Sequence, residues 1–172
     1  MSRDKLTEAS ISMRMVQPAD MAMLMALVRD FAAGDSAAGV LEATEEGLEA
    51  ALFEPHPRAF VEFIEWRGEP VGFVCWHYSF SSVRGRRSLM LKEIFVRESH
   101  RGKGLARAAM AHLARRCVTE SLSSLEWIAR NWDDVALGFY RSTGARVMDD
   151  WLHCTLGPEG YWRLAHEERA TP

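Results

Sequence analysis

Residues 89–110 read LMLKEIFVRESHRGKGLARAAM, an apolar strand-like run followed by a glycine-containing turn and an alanine-rich, helix-like run. Gly102 and Gly104 flank Lys103 just before the helix-like run begins. The start of a helix leaves backbone N–H groups unpaired and carries the positive end of the helix dipole. Glycines let the backbone close around a ligand, and Arg101 and Lys103 add positive charge. The stretch therefore predicts an anion site, best suited to phosphate.

Three phosphate-binding patterns compete for this turn. A nucleotide P-loop requires Ser or Thr after its Gly-Lys pair, but Gly104 follows Lys103, and no glycine lies five positions before Gly102. A dinucleotide fingerprint requires a third glycine where this chain has Arg107. The remaining pattern is R-x-x-G-x-A over residues 101–106. Taken alone, the turn is also compatible with a generic strand-to-helix connection that binds nothing.

Composition and charge limit the class of protein. With 172 residues, 48% of them hydrophobic, the chain suits one compact domain over residues 1–172, and we expect residues 1–10 and 167–172 to be flexible. A net charge of -3 gives no basic field for nucleic acid. The N-terminus has no signal-peptide pattern, and no apolar run reaches the length of a membrane span. We therefore expect a cytoplasmic protein with neither a nucleic acid nor a membrane partner.

The cysteines point to no redox or metal chemistry. Cys75, Cys117 and Cys154 are far apart and odd in number, and none has the spacing of a metal site. We expect reduced thiols and no bound metal.

The apolar periodicity predicts the element order β-α-α-β-β-β-α-β-α-β, that is, one α/β (α+β) domain around a mixed sheet. We expect strands at 11–16, 58–66, 71–80, 89–96 and 124–129, helices at 19–35, 44–53, 105–117 and 133–143, and a further strand within 145–156. Asp20 and Thr44 are predicted to cap the first two helices, and Gly144 is predicted to end the last one.

The turn and its surroundings resemble the GNAT N-acetyltransferase superfamily, whose pyrophosphate loop follows a strand and reads Q/R-x-x-G-x-G/A. The run LMLKEIFV at 89–96 resembles the strand before that loop, and NWDDVALGFYRSTGA at 131–145 resembles the downstream helix with its FY…GA signature. Trp132, Trp151 and residues 161–165 extend the similarity to the diamine (spermidine/spermine) acetyltransferase branch. The resemblance implies a GNAT fold, with a central mixed, splayed β-sheet flanked by helices.

Acetyl-CoA is the cofactor that this resemblance implies. By resemblance, the backbone groups of Ile94, Phe95 and Val96 would bind the pantetheine arm like an added strand. The residues expected to cradle the pyrophosphate are Arg101, Gly102, Lys103, Gly104, Leu105, Ala106 and Arg107. Asp133 falls where the family has an Asn that contacts the CoA arm. Asp133 can accept hydrogen bonds and cap the next helix, but it cannot donate at neutral pH.

Catalytic roles also follow from the resemblance. Tyr140 matches the family's general acid, which protonates the departing thiolate. Glu93 matches the second acid of the diamine branch and is our expected base or substrate contact, whereas Lys92 replaces the first acid. With the arginines of residues 84–87, Lys92 makes this side of the site cationic, and a polycation would be repelled there. We therefore expect an acceptor amine that also bears an anionic group, such as an amino acid.

The implied function is acetyl transfer from acetyl-CoA directly to a primary amine of a small molecule, an amino acid-like amine or a polyamine. Two alternatives stay open: acetylation of a peptide or protein amine, and a non-catalytic acyl-CoA-binding sensor. Asp35 and Asp149 fall near positions where the diamine branch holds its substrate, so they are candidate substrate contacts beside Lys92. The branch forms homodimers, and Trp151, Tyr161 and Trp162 are compatible with such an interface.

Overall fold

The computed structural model describes residues 10–34 and 41–167, so Asp35 lies outside the described residues. The chain divides into two compact units, Met1–Trp127 and Ile128–Pro172. A single domain over residues 1–172 stays a prediction, which limited proteolysis would test. No helix in the described ranges combines the length and the apolar character needed to cross a membrane.

The first unit contains the sheet, whose strands are β1 (Ile11–Met15), β2 (Phe60–Trp66), β3 (Glu69–Ser81), β4 (Arg86–Val96) and β5 (Leu125–Trp127). The strands lie in chain order across the sheet. The three junctions from β1 to β4 are antiparallel, and β5 joins β4 in parallel. Arg67 and Gly68, between β2 and β3, both have positive φ angles (54° and 83°). This is the backbone that a two-residue hairpin turn requires.

The helices are α1 (Met21–Gly34), α2 (Glu45–Leu52), α3 (Leu105–Thr119), α4 (Asp134–Ser142) and α5 (Pro158–Ala165). The first three belong to the unit of the sheet, and α4 and α5 belong to the second unit. The expected mixed sheet with flanking helices is confirmed, as are the helices predicted from apolar periodicity.

Neighbouring residues of β2 show how helices cover the sheet. Side chains alternate between the two faces of a strand. Phe63 belongs to the apolar cluster that contains Leu24 and Leu27 of α1, whereas Glu62 hydrogen-bonds His112 of α3. Because Glu62 and Phe63 are adjacent, α1 and α3 lie on opposite faces of the sheet.

Two of the predicted helix ends are confirmed and one is wrong. Thr44 caps α2 by accepting a hydrogen bond from the Gly47 N–H (3.1 Å), and Gly144 follows α4 with a left-handed φ of 88°. Asp20 does not cap α1. It lies at the end of a 3-10 turn, Pro18–Asp20, that runs directly into α1. Its carboxylate accepts the Gln17 N–H at 2.8 Å, because the proline starts the helical path one turn earlier.

The strand expected within residues 145–156 is wrong: the structure has no strand there. Trp151 and Leu152 are consecutive and are 72% and 88% exposed, so they lack the alternating burial of a half-buried strand. Residues 145–156 are irregular, and α5 follows them from Pro158, where proline favours the first turn of a helix.

Candidate active site

A β-bulge lies in the middle of β4. Cys75 of β3 pairs with Glu93, and the next pair in the ladder is Trp76 with Leu91. Lys92 is therefore the extra residue of a bulge, which bends its strand and redirects side chains. Lys92 is exposed, whereas Glu93 is half-buried.

The edge of β4 that pairs with β5 is open beyond this bulge. The parallel pairing covers Leu89 to Leu91 and stops there. Among the described residues, no strand pairs with that edge of β4 over Ile94, Phe95 and Val96. An open edge presents backbone N–H and C=O groups to any extended partner. This is the local geometry that an extended amide-containing ligand such as pantetheine requires.

The loop between β4 and α3 ends in two left-handed glycines. Gly102 and Gly104 have φ angles of 75° and 83°, and Gly104 is the N-cap of α3. No other group lies within 4 Å of where a Cβ would stand at either glycine. The first N–H groups of a helix lack partners inside it, so the start of α3, at Leu105 and Ala106, offers donors beside this open space. The loop therefore fits a phosphate group.

The cations of this loop also support its shape. The Arg101 Nε donates to the Val96 carbonyl at 3.2 Å. The Lys103 Nζ donates to the Ser99 carbonyl at 3.1 Å and lies 5.7 Å from the centre of the Trp66 ring. Both side chains thus add positive charge to the loop and hold its backbone in place.

Arg97 ties the start of the loop to the rest of the first unit. Its Nε donates to Asp30 of α1 at 2.7 Å, and its backbone N–H donates to the Val71 carbonyl at 2.9 Å. Gly72 follows on β3, and a Cβ there would collide with the Phe95 carbonyl. The close approach of β3 to the end of β4 therefore depends on that glycine.

Burial controls the ionisation of the side chains around the bulge. Burial raises the pKa of Glu93 above its ordinary value, and Lys92 partly opposes this shift. Burial and the neighbouring Glu93 carboxylate raise the pKa of the Cys75 thiol to about 12. Glu93 can therefore take up a proton more readily than an exposed carboxylate, and Cys75 is a protonated thiol at neutral pH.

Tyr140 lies on α4 in the second unit. Asp133 caps this helix, and its carboxylate accepts the Ala136 N–H at 2.9 Å. Burial raises the pKa of the Tyr140 phenol, and the negative charge of Asp133 raises it further. The phenol is therefore protonated at neutral pH and can donate a proton.

Other residues singled out from the sequence belong to different elements. Asp149 is exposed in the irregular segment between α4 and α5. Arg86 and Arg87 lie at the opposite end of β4 from the loop, six and five residues before Lys92, which is about 17–20 Å along a strand. Arg87 lies 3.9 Å from Glu120 and stacks on Tyr78. Of the three cations Arg86, Arg87 and Lys92, which were predicted to make one side of the site positive, Lys92 alone lies near the bulge.

One buried charged cluster was not predicted from the sequence. Glu62 of β2, His112 and Arg116 of α3, and Trp76 of β3 meet between the sheet and α3. The sequence signal that could have indicated it is Glu62, one of two glutamates in the otherwise apolar run FVEFIEW. Within the described residues, no group of three or more metal-ligating side chains could hold an ion.

The chain is similar to known acetyltransferases. Among curated proteins, thialysine N-epsilon-acetyltransferase of Bos taurus is 25% identical over 85% of this chain and 91% of its own length. L-ornithine N5-acetyltransferase NATA1 of Arabidopsis thaliana is 31% identical over 49% of this chain, and that match spans 37% of the plant enzyme.

Solved structures share the fold. An integron cassette protein of V. cholerae has a TM-score of 0.73 and 24% identity, over 91% of this chain and 98% of its own. An aminoglycoside acetyltransferase from an uncultured soil metagenomic sample, in complex with sisomicin, has a TM-score of 0.73 and 16% identity, over 87% and 99% of the two chains. The model of the Acetyltransferase (GNAT) family matches residues 22–145, which include β4, the glycine loop and α4. The chain therefore belongs to the GNAT acetyltransferase family.

Proposed function

We propose that this enzyme transfers the acetyl group of acetyl-CoA directly to a primary amine of a small molecule, an amino acid-like amine or a polyamine. The observation that carries the proposal is the continuity of the open β4 edge with the glycine loop and the start of α3. An open strand edge suits the amides of pantetheine, and a helix start suits the pyrophosphate. Few other ligands combine these two groups in this order.

The binding roles follow from the same elements. Among Ile94, Phe95 and Val96, the backbone groups of Ile94 and the Val96 N–H bind the pantetheine arm, while Phe95 lies between them with its carbonyl toward Gly72 of β3. The loop and helix start, residues 101–107, bind the pyrophosphate through N–H donors and positive charge. Asp133 accepts a hydrogen bond from the CoA arm, although its carboxylate already serves as the cap of α4.

The chemistry needs one base and one acid. Acetyl-CoA, when bound, supplies the thioester carbonyl that the amine attacks. Glu93 accepts a proton from the amine, directly or through a water, for which its raised pKa is suitable. Tyr140 donates the proton of its hydroxyl to the departing sulfur, and its raised pKa keeps that proton in place beforehand. A C–N bond forms and a C–S bond breaks, and no covalent enzyme intermediate is required.

Lys92 supports an acceptor that carries an anionic group beside its amine. An exposed ammonium at the bulge attracts a carboxylate and repels a second amine. Two relatives are named for thialysine and ornithine, which each have a side-chain amine and a carboxylate. Asp149 and Asp35 are further candidate contacts for the amine.

We also propose a cytoplasmic homodimer that binds neither nucleic acid nor membranes. Trp151, Tyr161 and Trp162 are 72%, 56% and 63% exposed, and large exposed aromatic side chains are typical of surfaces that associate. Light scattering after size exclusion would report twice the chain mass of 19.5 kDa if the dimer forms.

An amine panel tests the proposal. Thiol release from acetyl-CoA is followed with lysine, ornithine, thialysine, spermidine and a lysine-containing peptide. We expect turnover with the amino acids above that with spermidine. Preference for the peptide would support protein acetylation, and CoA binding without turnover on any amine would support a sensor. Preference for spermidine would contradict the role given to Lys92.

A further inference from the structure

Glu62 is a buried carboxylate between the sheet and α3. Its side chain is 3% exposed. Glu62 lies 3.0 Å from the Trp76 Nε1, 2.7 Å from the His112 Nε2 and 3.5 Å from an Arg116 Nη. Although burial raises the pKa of Glu62, the hydrogen bonds of His112 and Trp76 and the charges of His112 and Arg116 lower it below its ordinary value overall. An ionised carboxylate only accepts hydrogen bonds, so the His112 Nε2 carries a proton.

The cluster joins three elements. Glu62 lies on β2, Trp76 lies on β3, and His112 and Arg116 are one turn apart on α3. Arg116 also stacks 4.7 Å above the Trp76 ring and donates to Glu120 at the end of α3. The second half of α3 is thereby fixed to the sheet through directional contacts, and Glu120 at its end also accepts a hydrogen bond from the Tyr78 hydroxyl of β3.

The buried apolar residues of α3 do not fix its position in this way. Its buried residues Leu105, Ala109, Met110 and Leu113 are apolar, and apolar contact is non-directional. Hydrogen bonds to a buried carboxylate depend steeply on distance and angle. The Arg116 Nε is buried without a hydrogen-bond partner among the described residues. Because apolar residues often replace buried ion pairs without loss of stability, stability alone does not account for a charged cluster at this place.

The position of α3 sets the position of the pyrophosphate donors. The helix begins at Leu105, directly after Gly104, and His112 lies seven residues further, about 10 Å along the axis. A rigid helix transmits a shift at His112 to its first N–H groups. We propose that Glu62, His112 and Arg116 are positioning residues for CoA, which hold α3 so that its first N–H groups face the pyrophosphate. This inference rests on the proposed function, because it presumes that the loop binds CoA.

Variants of the full-length chain test the proposal. Glu62→Gln keeps the shape of the side chain but turns an amide N–H toward His112 or Arg116, which are themselves donors. His112→Leu removes the hydrogen bond to Glu62, and it does so at a partly exposed position. We expect both variants to raise the Kd for CoA and the KM for acetyl-CoA about tenfold, with kcat within twofold of wild type. His112→Gln can place its amide N–H near the position of the His112 Nε2, so it should restore most of the affinity.

Two controls separate positioning from stability. Arg115→Gln removes a charge from the exposed face of α3 and should change nothing. Leu113→Ala removes a fully buried apolar side chain from the same helix, and should lower Tm while leaving the Kd for CoA within twofold. The proposal is overturned if Leu113→Ala weakens CoA binding as much as His112→Leu at an equal loss of Tm. It is also overturned if His112→Leu binds CoA as the wild type does.

Hydrogen exchange provides a readout that does not depend on CoA. In the free protein, the peptide covering residues 97–107 should exchange faster in Glu62→Gln and His112→Leu than in wild type or Arg115→Gln. Unchanged exchange in that peptide would overturn the inference even if the wild type bound no CoA. Absence of CoA binding by the wild type would count instead against the proposed function.

Discussion

Cys75 of β3 lies directly opposite Glu93 of β4, and paired residues of an antiparallel ladder share one face of the sheet. The same ladder skips Lys92, so a half-buried acid and an exposed cation follow each other on β4. Both lie just beyond Leu91, where the pairing of β4 with β5 stops. The bulge therefore brings the candidate base and the candidate specificity residue to the start of the open edge proposed to bind pantetheine.

Tyr140→Phe should lower kcat about 10²–10⁴-fold, the usual contribution of a positioned acid or base. The KM for acetyl-CoA should change little, because the phenol acts on the departing sulfur and not on the pyrophosphate. Initial rates of thiol release measure both constants. Tyr161→Phe removes a hydroxyl from an exposed tyrosine and should retain the wild-type rate. A Tyr140→Phe enzyme with an intact kcat would rule out the acid role.

The rate should depend on pH through Glu93. The base acts when deprotonated, so activity rises with pH through its pKa, which burial places above the ordinary carboxyl value of 4.5. The acidic limb of kcat/KM should therefore lie above that value. Glu93→Gln should lower kcat at least 10²-fold and abolish the limb, whereas Glu126→Gln on β5 should retain it. An acidic limb that persists in Glu93→Gln would assign it to another group.

Lys92→Glu should reverse the preference between acceptors. The substitution replaces an attractive charge for carboxylates with one that attracts a second amine, so kcat/KM for ornithine should fall and that for spermidine should rise, each about tenfold. Arg86→Glu makes the same charge change about 20 Å away along β4, beyond the screening length of roughly 8 Å at physiological salt. Arg86→Glu should therefore leave the ratio of kcat/KM for ornithine to kcat/KM for spermidine unchanged. If both variants changed the acceptor preference equally, the preference would depend on the overall charge of the protein and not on recognition by Lys92.

Gly104→Ala should weaken CoA binding and destabilise the protein. The left-handed φ of 83° costs a residue with a side chain about 1–2 kcal/mol, and the added methyl group occupies the space proposed for phosphate. We expect a rise in the KM for acetyl-CoA and a lower midpoint in urea. Gly34→Ala, at a helical glycine with open space around it, should leave the KM unchanged and should not lower the midpoint, since alanine favours a helix. If Gly104→Ala altered stability but not KM, the phosphate would have to bind elsewhere.

Much of the site could be predicted from the sequence because its signals are local. The glycine-and-cation turn, the strand before it and the Thr44 and Asp133 caps each depend on residues within one turn of one another. Their geometry follows from backbone preferences that hold in any fold. The cofactor and catalytic roles came from resemblance of these same local motifs.

The features that could not be predicted from the sequence depend on contacts between residues far apart along the chain. The bulge at Lys92 exists because β3 and β4 pair in one register, and the distance of Arg86 from Lys92 depends on β4 being one continuous strand. The prediction of a final strand within residues 145–156 was wrong, because an apolar run forms a strand only where a neighbouring strand can pair with it. The partners of Glu62 could not be predicted, because His112 lies 50 positions away along the chain and α3 meets β2 only in the folded sheet.

The sequence by itself determined the family and the candidates for the phosphate-binding turn, the acid and the base, since each is written in residues close together along the chain. Only the tertiary structure decided that β4 has an open edge after Leu91, that Lys92 is bulged beside Glu93, and that Glu62 is joined to His112. These contacts join residues up to 50 positions apart. Which residues pair in these contacts depends on burial and hydrogen bonding in the whole fold, and no single segment of the sequence specifies it.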